Sequence, residues 1–509
     1  MSVSEAPTST NQATTEPNPL RWKALGVLAL VQFMLALDNT VVNVALPSIQ
    51  SDLSFSSHGL AWVVNAYTLT AGGFLILGGR AADYYGRKKF FIAGVILFAL
   101  ASLASGLAQS SGTLIGARFV QGLGEAVAAP AALSMVVLLF ADPVERAKAI
   151  GAFGGITIMG ATLGVVISGV IVSVLSWRWI FFVNIPVAIL AVTMVTRMIP
   201  ESRIAKHGRL DWIGAVLVTA GLTAIVDGLL SASSHGWGSA AVLIPLLGGV
   251  ALTVGFVLSQ LVIENPLVPL RFFRSRTRVS ANLATGFYVA AFLSMFFLMT
   301  IYMQDVLGYS ALKTGLVYLP YGIFLLIGIA VSMQLMPKVG VRTGTTFAFG
   351  LGAIGLFWTS HIHADSSLGH FLPGMLLLAF GQGIAFPALQ NAAVTGLDQS
   401  DAGLGSAVQQ TALQLGGSIG LAVLVTAALR HATSKVAEGV APAVASTEGY
   451  ALAVRIGAGV MLAGAILVAT LFQRVKFVPP EELALEAAES AAGALSPDAG
   501  EREPHPAGA

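Results

Sequence analysis

Gly124-Glu125-Ala126-Val127-Ala128-Ala129-Pro130-Ala131 and Gly381-Gln382-Gly383-Ile384-Ala385-Phe386-Pro387-Ala388 share a pattern, with glycine and proline six residues apart in each. A second pair repeats the relation: Tyr85-Gly86-Arg87-Lys88 has a worn counterpart in Val339-Gly340-Val341-Arg342. Both octapeptides sit inside long apolar runs. Hydropathy predicts about fourteen spans, near 22–46, 58–79, 90–108, 112–135, 147–173, 179–199, 211–231, 240–262, 279–303, 313–335, 341–360, 370–393, 404–428 and 450–472. The octapeptides then lie in spans 4 and 12, and the tetrapeptides follow spans 2 and 10. An offset of eight helices is what two six-helix repeats with two helices inserted between them would give. The expected fold is therefore an all-α membrane protein whose substrate site lies between two related bundles.

Composition agrees. Of 509 residues, 55% are hydrophobic and only 10% charged, against about 25% charged in a soluble chain. Mean hydropathy is +0.80. The 56 glycines suit closely packed membrane helices. The absence of cysteine excludes disulfides, thiolate nucleophiles and cysteine metal sites. No Gly-x-x-x-x-Gly-Lys-Ser/Thr sequence occurs and no cytoplasmic segment is long enough for an ATPase domain, so the energy source is an ion gradient or the substrate's own. No metal cluster or nucleophile–base pair speaks for an enzyme. His361, His363 and His370 read as solvated loop residues rather than ligands. Residues 1–20 and 477–509 read as disordered cytoplasmic tails without a signal peptide. Between them lie a first bundle (21–200), the inserted pair with its loops (201–275) and a second bundle (276–476).

Basic residues set the expected orientation. Arg21 and Lys23, Arg80, Arg87, Lys88 and Lys89, Arg146 and Lys148, Arg203, Lys206 and Arg209, Arg271 to Arg278, Lys338 and Arg342, and Arg474 and Lys476 fall on one side. The other side holds few, chiefly Arg178, Lys313, Arg430 and Lys435. Both termini are thus expected in the cytoplasm, which requires an even number of spans. The loop around Asp398 and Asp401 dissents, being on the cytoplasmic side without a basic residue.

A charge inside hydrocarbon is costly and marks a functional candidate. Asp38 lies in span 1. Arg118, Gln121 and Glu125 lie in span 4 at i, i+3 and i+7, on one helix face. A carboxylate beside a buried guanidinium can change protonation as its surroundings alternate between wet and dry, because desolvation and the cation pull in opposite directions. The competing reading is a fixed ion pair that locks helices together. Asp227, in an inserted helix, reads as structural. Gln32, Asn39 and Asn43 on span 1, Asn65 and Tyr67 on span 2, Tyr302 and Gln304 on span 9, Tyr318 and Tyr321 on span 10, and Ser406, Gln410 and Gln414 on span 13 are candidates for lining a wet cavity, or for bonding helices together. Gly151, Gly154, Gly155, Gly160, Gly164 and Gly169 line span 5, where Gly160 and Gly164 are spaced for close helix approach.

These residues resemble the fourteen-span drug/proton antiporters of the major facilitator superfamily over nearly everything between Arg21 and Val478. Leu37-Asp38-Asn39-Thr40-Val41-Val42-Asn43-Val44-Ala45-Leu46-Pro47 is similar to the span 1 signature, whose acid is linked to proton coupling. Gly79, Ala82, Asp83, Gly86, Arg87 and Lys88 match the gating-loop motif, with Ala81 in place of leucine and Tyr84 in place of arginine. The resemblance implies that this loop latches the two halves in the outward-open state. Arg118-Phe119-Val120-Gln121-Gly122-Leu123-Gly124 resembles the span 4 signature, whose arginine is assigned to proton transfer; Glu125 stands where a small residue is usual and points to a cationic substrate. Gly160 to Gly169 resembles the antiporter signature, with Val165 replacing proline and Ser168 replacing glycine. Trp177-Arg178-Trp179 through Asn184 and Pro186 continues the family pattern.

The resemblance implies a proton-coupled exporter of lipophilic, often cationic drugs or antibiotics, working by alternating access as a monomer in a bacterial inner membrane. It needs no cofactor beyond the proton gradient, and its partners are the bilayer, protons and a small amphipathic substrate, not nucleic acid. The rival expectations are an exporter of a lipid or endogenous metabolite, and a non-transporting membrane sensor.

Overall fold

The computed structural model describes residues 20–140, 142–202, 209–395, 397 and 402–473. Arg203, Lys206, Asp398, Asp401, Arg474, Lys476, residues 1–19 and the expected C-terminal tail lie outside the described residues. Among the described residues fourteen long helices follow one another: α1 (Arg21–Leu53), α2 (Ser57–Tyr85), α3 (Arg87–Gly106), α4 (Ser111–Leu139), α5 (Pro143–Val174), α6 (Trp179–Met198, interrupted at Val183), α7 (Trp212–Ser231), α8 (Ala240–Val262), α9 (Arg276–Ile301, continued by a π-turn Tyr302–Val306), α10 (Ala311–Val339), α11 (Val341–Thr359), α12 (Leu368–Val394), α13 (Ala402–Ala437) and α14 (Pro442–Leu471). Among the described residues, thirteen are long and apolar enough to cross a membrane. The exception is α11, whose Thr343, Thr345, Thr346, Gly350, Gly352 and Gly355 dilute its apolar character.

Helix ends are written in the sequence. The side chains of Ser56, Ser110, Asp142, Asp211, Ser275 and Ser310 each accept a backbone N–H of the helix that follows, the usual remedy for unpaired first-turn amides. The two tetrapeptides of the repeat become matching breaks. Gly86 separates α2 from α3 at φ 122°, and Gly340 separates α10 from α11 at φ 81°. Such values favour glycine.

Packing repeats with the expected offset. In the first six helices α4 packs on α2 and α3, and α1 on α5 and α6; in the last six α12 packs on α10 and α11, and α9 on α13 and α14. Two seams join the groups, α2 with α13 and α5 with α10, and each is the image of the other under that offset. The α7–α8 hairpin lies against both α2 and α13. Its base is fixed by Asp211, whose Oδ2 accepts Gln260 Nε2 at 2.6 Å and Leu267 N at 3.4 Å.

The apolar core shows how the seams differ along the axis. At the end farthest from the chain termini, one cluster is continuous across both groups, from Val41, Leu46 and Ile49 of α1 through Val165 of α5 to Phe296, Met299 and Tyr318. At the terminal end, Leu28, Phe91, Phe98, Phe140 and Phe153 form a separate cluster confined to the first six helices. The halves are fused at the far end; at the terminal end a third cluster, Ile76 and Leu77 of α2 with Val408 of α13, still joins them along the α2–α13 seam.

Candidate functional site

Asp38 and Arg118 meet in the middle of the first six helices. Asp38 is fully buried and Arg118 is 1% exposed. Arg118 Nη1 donates to Asp38 Oδ2 at 2.6 Å and to Gln121 Oε1 at 2.8 Å. Gln121 Nε2 and Asn184 Nδ2 donate to Asp38 Oδ1 at 2.8 and 2.9 Å. Arg118 Nε reaches Val63 O on α2 at 3.0 Å, and the guanidinium lies 4.2 Å from the Tyr67 ring centroid and 5.9 Å from that of Phe181. Asn184 is held by Ser102 Oγ, 3.0 Å away, which in turn donates to Phe181 O. Five helices thus converge on one ion pair. A buried pair is tolerable only when its remaining lone pairs and protons are satisfied, and here nearly all are. The spacing of Arg118 and Gln121 anticipates two of these partners. Asn184 was legible only within the longer Trp177–Pro186 pattern, and nothing marked Ser102.

Glu125 departs from the expected pairing. It is 7% exposed and makes no ion pair with Arg118. Seven residues along a helix are about 10 Å, beyond contact even on one face. Glu125 Oε1 instead accepts Gln414 Nε2 of α13 at 3.4 Å, across the α2–α13 seam, while Oε2 is buried without a hydrogen-bond partner. The Tyr67 hydroxyl neighbours it. The seam continues through Thr68 Oγ1 and Ser418 Oγ (2.5 Å) and Thr411 Oγ1 to Gly72 O (3.1 Å).

The other polar candidates divide. Asn65 is buried with both side-chain polar atoms unpartnered, as are Asn43 Oδ1, Gln32 Oε1 and Gln409 Oε1; Gln409 was not anticipated. Asn43 Nδ2 turns back to the carbonyls of Asn39 and Thr40. Gln304 Nε2 donates to Val44 O at 2.9 Å, joining the π-turn to α1. Gln410 and Asn39 are half-buried. Tyr302 is not a cavity residue: its hydroxyl donates to His363 O at 2.6 Å and its ring packs on Phe371. Tyr318 and Tyr321 join Phe292 and Phe296 in one aromatic cluster, with Phe296 stacked on Tyr318 at 4.2 Å and edge-on to Tyr321 at 5.1 Å. Tyr321 hydrogen-bonds Gln382 Oε1.

The α5 glycines act at separate places. A Cβ on Gly160 would stand 2.8 Å from Phe33 O, and one on Gly164 would stand 3.1 Å from Leu37 O, so both seat α5 on α1. One on Gly169 would stand 2.8 Å from Ala311 O, so this glycine seats α5 on α10. Gly315 of α10 returns the contact against Val165 O. Ser168, in place of the expected glycine, donates to Val41 O at 2.5 Å. Toward the terminal end Gly151, Gly154 and Gly155 meet nothing within 4 Å. The close contacts at glycines between α5 and α10 lie from mid-helix toward the far end.

In the gating loop, Asp83 Oδ1 accepts Arg87 Nε at 2.7 Å. The contacts of this loop with α6 and the segment after it lie within the first six helices and their following turn. Glu201, which the sequence did not single out, accepts Lys88 N at 3.1 Å and Lys89 N at 3.2 Å, Lys88 Nζ reaches Thr196 O, and Arg87 N reaches Ser202 O. A carboxylate at a helix N-terminus meets unpaired amides and a favourable dipole. Gly79 packs on Pro130. Among the described residues no grouping of three or more histidine, aspartate or glutamate residues could hold a metal ion.

The Major Facilitator Superfamily profile matches residues 28–421. A puromycin resistance protein of Streptomyces alboniger is 37% identical, over 89% of this chain and 91% of its own. A cephamycin export protein of Amycolatopsis lactamdurans is 37% identical, over 90% and 94%. A lincomycin resistance protein of Streptomyces lincolnensis is 35% identical, over 80% and 84%. Among solved structures, an auto-inhibited peptide transporter superposes with TM-score 0.64 at 14% identity, covering 90% of this chain and 98% of that one. The inward-open xylose transporter of E. coli gives 0.61 at 15%, covering 92% and 99%. At such identities the structures speak for the fold alone.

Proposed function

We propose that this chain, which belongs to the Major Facilitator Superfamily, exports drug-like amphipathic molecules in exchange for protons by alternating access of its two six-helix halves. Membership makes it a multi-pass membrane transporter rather than an enzyme; cargo and energy source are our reading. The observation that carries it is the Asp38–Arg118 pair, buried at 2.6 Å with Gln121 bridging both partners. Protonating Asp38 removes the charge that holds the guanidinium. Arg118 would then turn to Gln121 and Val63 O, loosening α1 from α4. Deprotonation restores the pair. Glu125 supplies a second acid on the α2–α13 seam, where its bond to Gln414 makes protonation felt between the halves. The aromatic cluster of α9 and α10 offers an apolar wall for the cargo, and Glu125 offers a counter-charge for a cation.

The far-end core is continuous, while toward the termini the packing runs along α2 and α13 and Gly151, Gly154 and Gly155 of α5 meet nothing within 4 Å, which supports a conformation open toward the termini on the α5–α10 side. With both termini in the cytoplasm, this is the state that loads cargo. The gating loop, bound to its own half, fits that state as well, since its latch belongs to the opposite one.

The decisive measurement is substrate movement in proteoliposomes with an imposed pH gradient. Asp38→Asn and Arg118→Ala are each expected to abolish gradient-driven export while leaving passive leak alone. Wild-type rates in both variants would sink the mechanism. The kinship with a cephamycin export protein also favours a narrower cargo, a metabolite of the producing cell. Protection against a broad drug panel argues against that; loss of a single metabolite from the medium argues for it.

A further inference from the structure

Tyr67 of α2 is fully buried and stands between two acids. Its ring carries the Arg118 guanidinium, the partner of Asp38, 4.2 Å from the centroid. Its hydroxyl stands beside the Glu125 carboxylate. Helix packing builds this arrangement. A Cβ on Gly122 would stand 2.4 Å from Tyr67 O, so the missing side chain lets α4 close on α2 here. Arg118 lies one turn before Gly122 and Glu125 one turn after it, and both therefore reach the same tyrosine. Two buried atoms at this place, the Tyr67 hydroxyl and Glu125 Oε2, have no hydrogen-bond partner. Leaving such atoms unserved is costly, and a small turn of either side chain lets the phenol donate to the carboxylate. The charged groups facing Tyr67 are Glu125 and Arg118 of α4 and Asp38 of α1, while α13 brings only the neutral Gln414 to Glu125. Two carboxylates and one guanidinium are neutral together only while they hold one proton.

We propose, resting on the reading of Asp38 and Arg118 as the proton-coupling centre, that Tyr67 is a positioning residue that links the two acids, so that a proton on Glu125 is felt at the ion pair. Ionised Glu125 draws the phenol O–H to itself, because a hydrogen bond to a charged acceptor is about twice as strong as a neutral one. That bond fixes the ring under the guanidinium and keeps Arg118 on Asp38. Protonated Glu125 holds the hydroxyl weakly. The ring is then freed, and the guanidinium gains room to leave Asp38 for Gln121 and Val63 O. No proton passes through Tyr67; its hydroxyl only makes and releases one hydrogen bond. Glu125 also holds Gln414 of α13, so the same event reaches the second half.

The test compares Tyr67→Phe, Glu125→Gln and the double variant with wild type in two readouts. Phenylalanine keeps the ring on Arg118 and removes only the hydroxyl. First, infrared spectra of the purified full chain are recorded across pH, and the protonated-carboxyl band that Glu125→Gln abolishes is assigned to Glu125. Tyr67→Phe is expected to move that band, since a carboxyl stretch reports its hydrogen bonds. Second, gradient-driven export is measured in proteoliposomes as a function of pH. Glu125→Gln is expected to displace the pH of half-maximal rate by about one unit, the worth of one hydrogen bond to a charged group. Tyr67→Phe should displace it in the same direction, and the double variant should go no further. A band that does not move, no band lost in Glu125→Gln, or displacements that add in the double variant each overturn the proposal. Export indifferent to the gradient in wild type sinks proton exchange itself, and the infrared band then decides the link alone.

Discussion

Glu125 of α4 and Gln382 of α12 hold the same place in the repeated octapeptide, one residue after the glycine, yet their surroundings differ in kind. Two turns before Glu125, at Arg118, the first half assembles charge: Asp38, Arg118, Gln121 and Asn184 within one hydrogen-bonded network. Around Gln382 the second half assembles rings, with the Tyr321 hydroxyl on its Oε1 and Tyr288 O 3.5 Å from its Nε2. One helical scaffold therefore carries two chemistries. The first half holds a buried charge pair, and the second presents a cluster of aromatic rings.

The comparison breaks most severely at the ion pair. Removing one partner of a buried pair strands the other, which costs about 3–5 kcal/mol. Arg118→Met alone should therefore lower thermal unfolding markedly in detergent. Combining it with Asp38→Asn should recover most of that loss without recovering export. If the double variant transports, the first half's charge is dispensable and the contrast between halves means little.

A smaller effect comes from exchanging the matching residues. Gln382→Glu places an acid among rings and should cost about 3 kcal/mol. The reverse, Glu125→Gln, should leave stability within about 1 kcal/mol, because its buried Oε2 has no partner to lose. In transport, Glu125→Gln should cut export of a cationic dye relative to a neutral one. An unchanged ratio in a panel of matched dyes would leave Glu125 without a part in selectivity.

The smallest expected change is Tyr321→Phe. It removes one hydroxyl and leaves Gln382 Oε1 unserved, worth about 1 kcal/mol. Thermal unfolding of the variant measures it. A much larger loss would mean that the second half is as dependent on polar contacts as the first.

The sequence announced charge and periodicity and hid neutral partners. Asp38 and Arg118 stand out because an ionised group in an apolar run is expensive, so its presence is conspicuous. Glycine and proline stand out because each dictates backbone, and Gly86 and Gly340 became the matching breaks. Ser102 and Asn184 were quieter, since a neutral polar residue costs little in a membrane helix and carries no signal of its partner. Phe292 and Phe296 were invisible for the opposite reason: aromatic residues are ordinary in apolar helices. The pairing of Glu125 with Arg118 was misjudged because periodicity reports direction around a helix but not distance along it. Tyr302 was misjudged because its partner, His363 O, lies on a distant loop.

The hairpin of α7 and α8 has one more consequence. Beyond its far tip Arg430 Nη1 of α13 holds Ala232 O at 2.6 Å and His235 O at 3.1 Å, and Thr426 holds Leu229 O at 2.7 Å. At its other end Arg80 of α2 reaches Asn265 O at 3.4 Å. It is a strap buckled to both halves on one flank. Between α5 and α10 the close approaches are at glycines, Gly169 against Ala311 and Gly315 against Val165. A box strapped on one side opens like a door, with its hinge at α2 and α13. A motion of the halves that keeps these bonds is then widest on the α5–α10 flank.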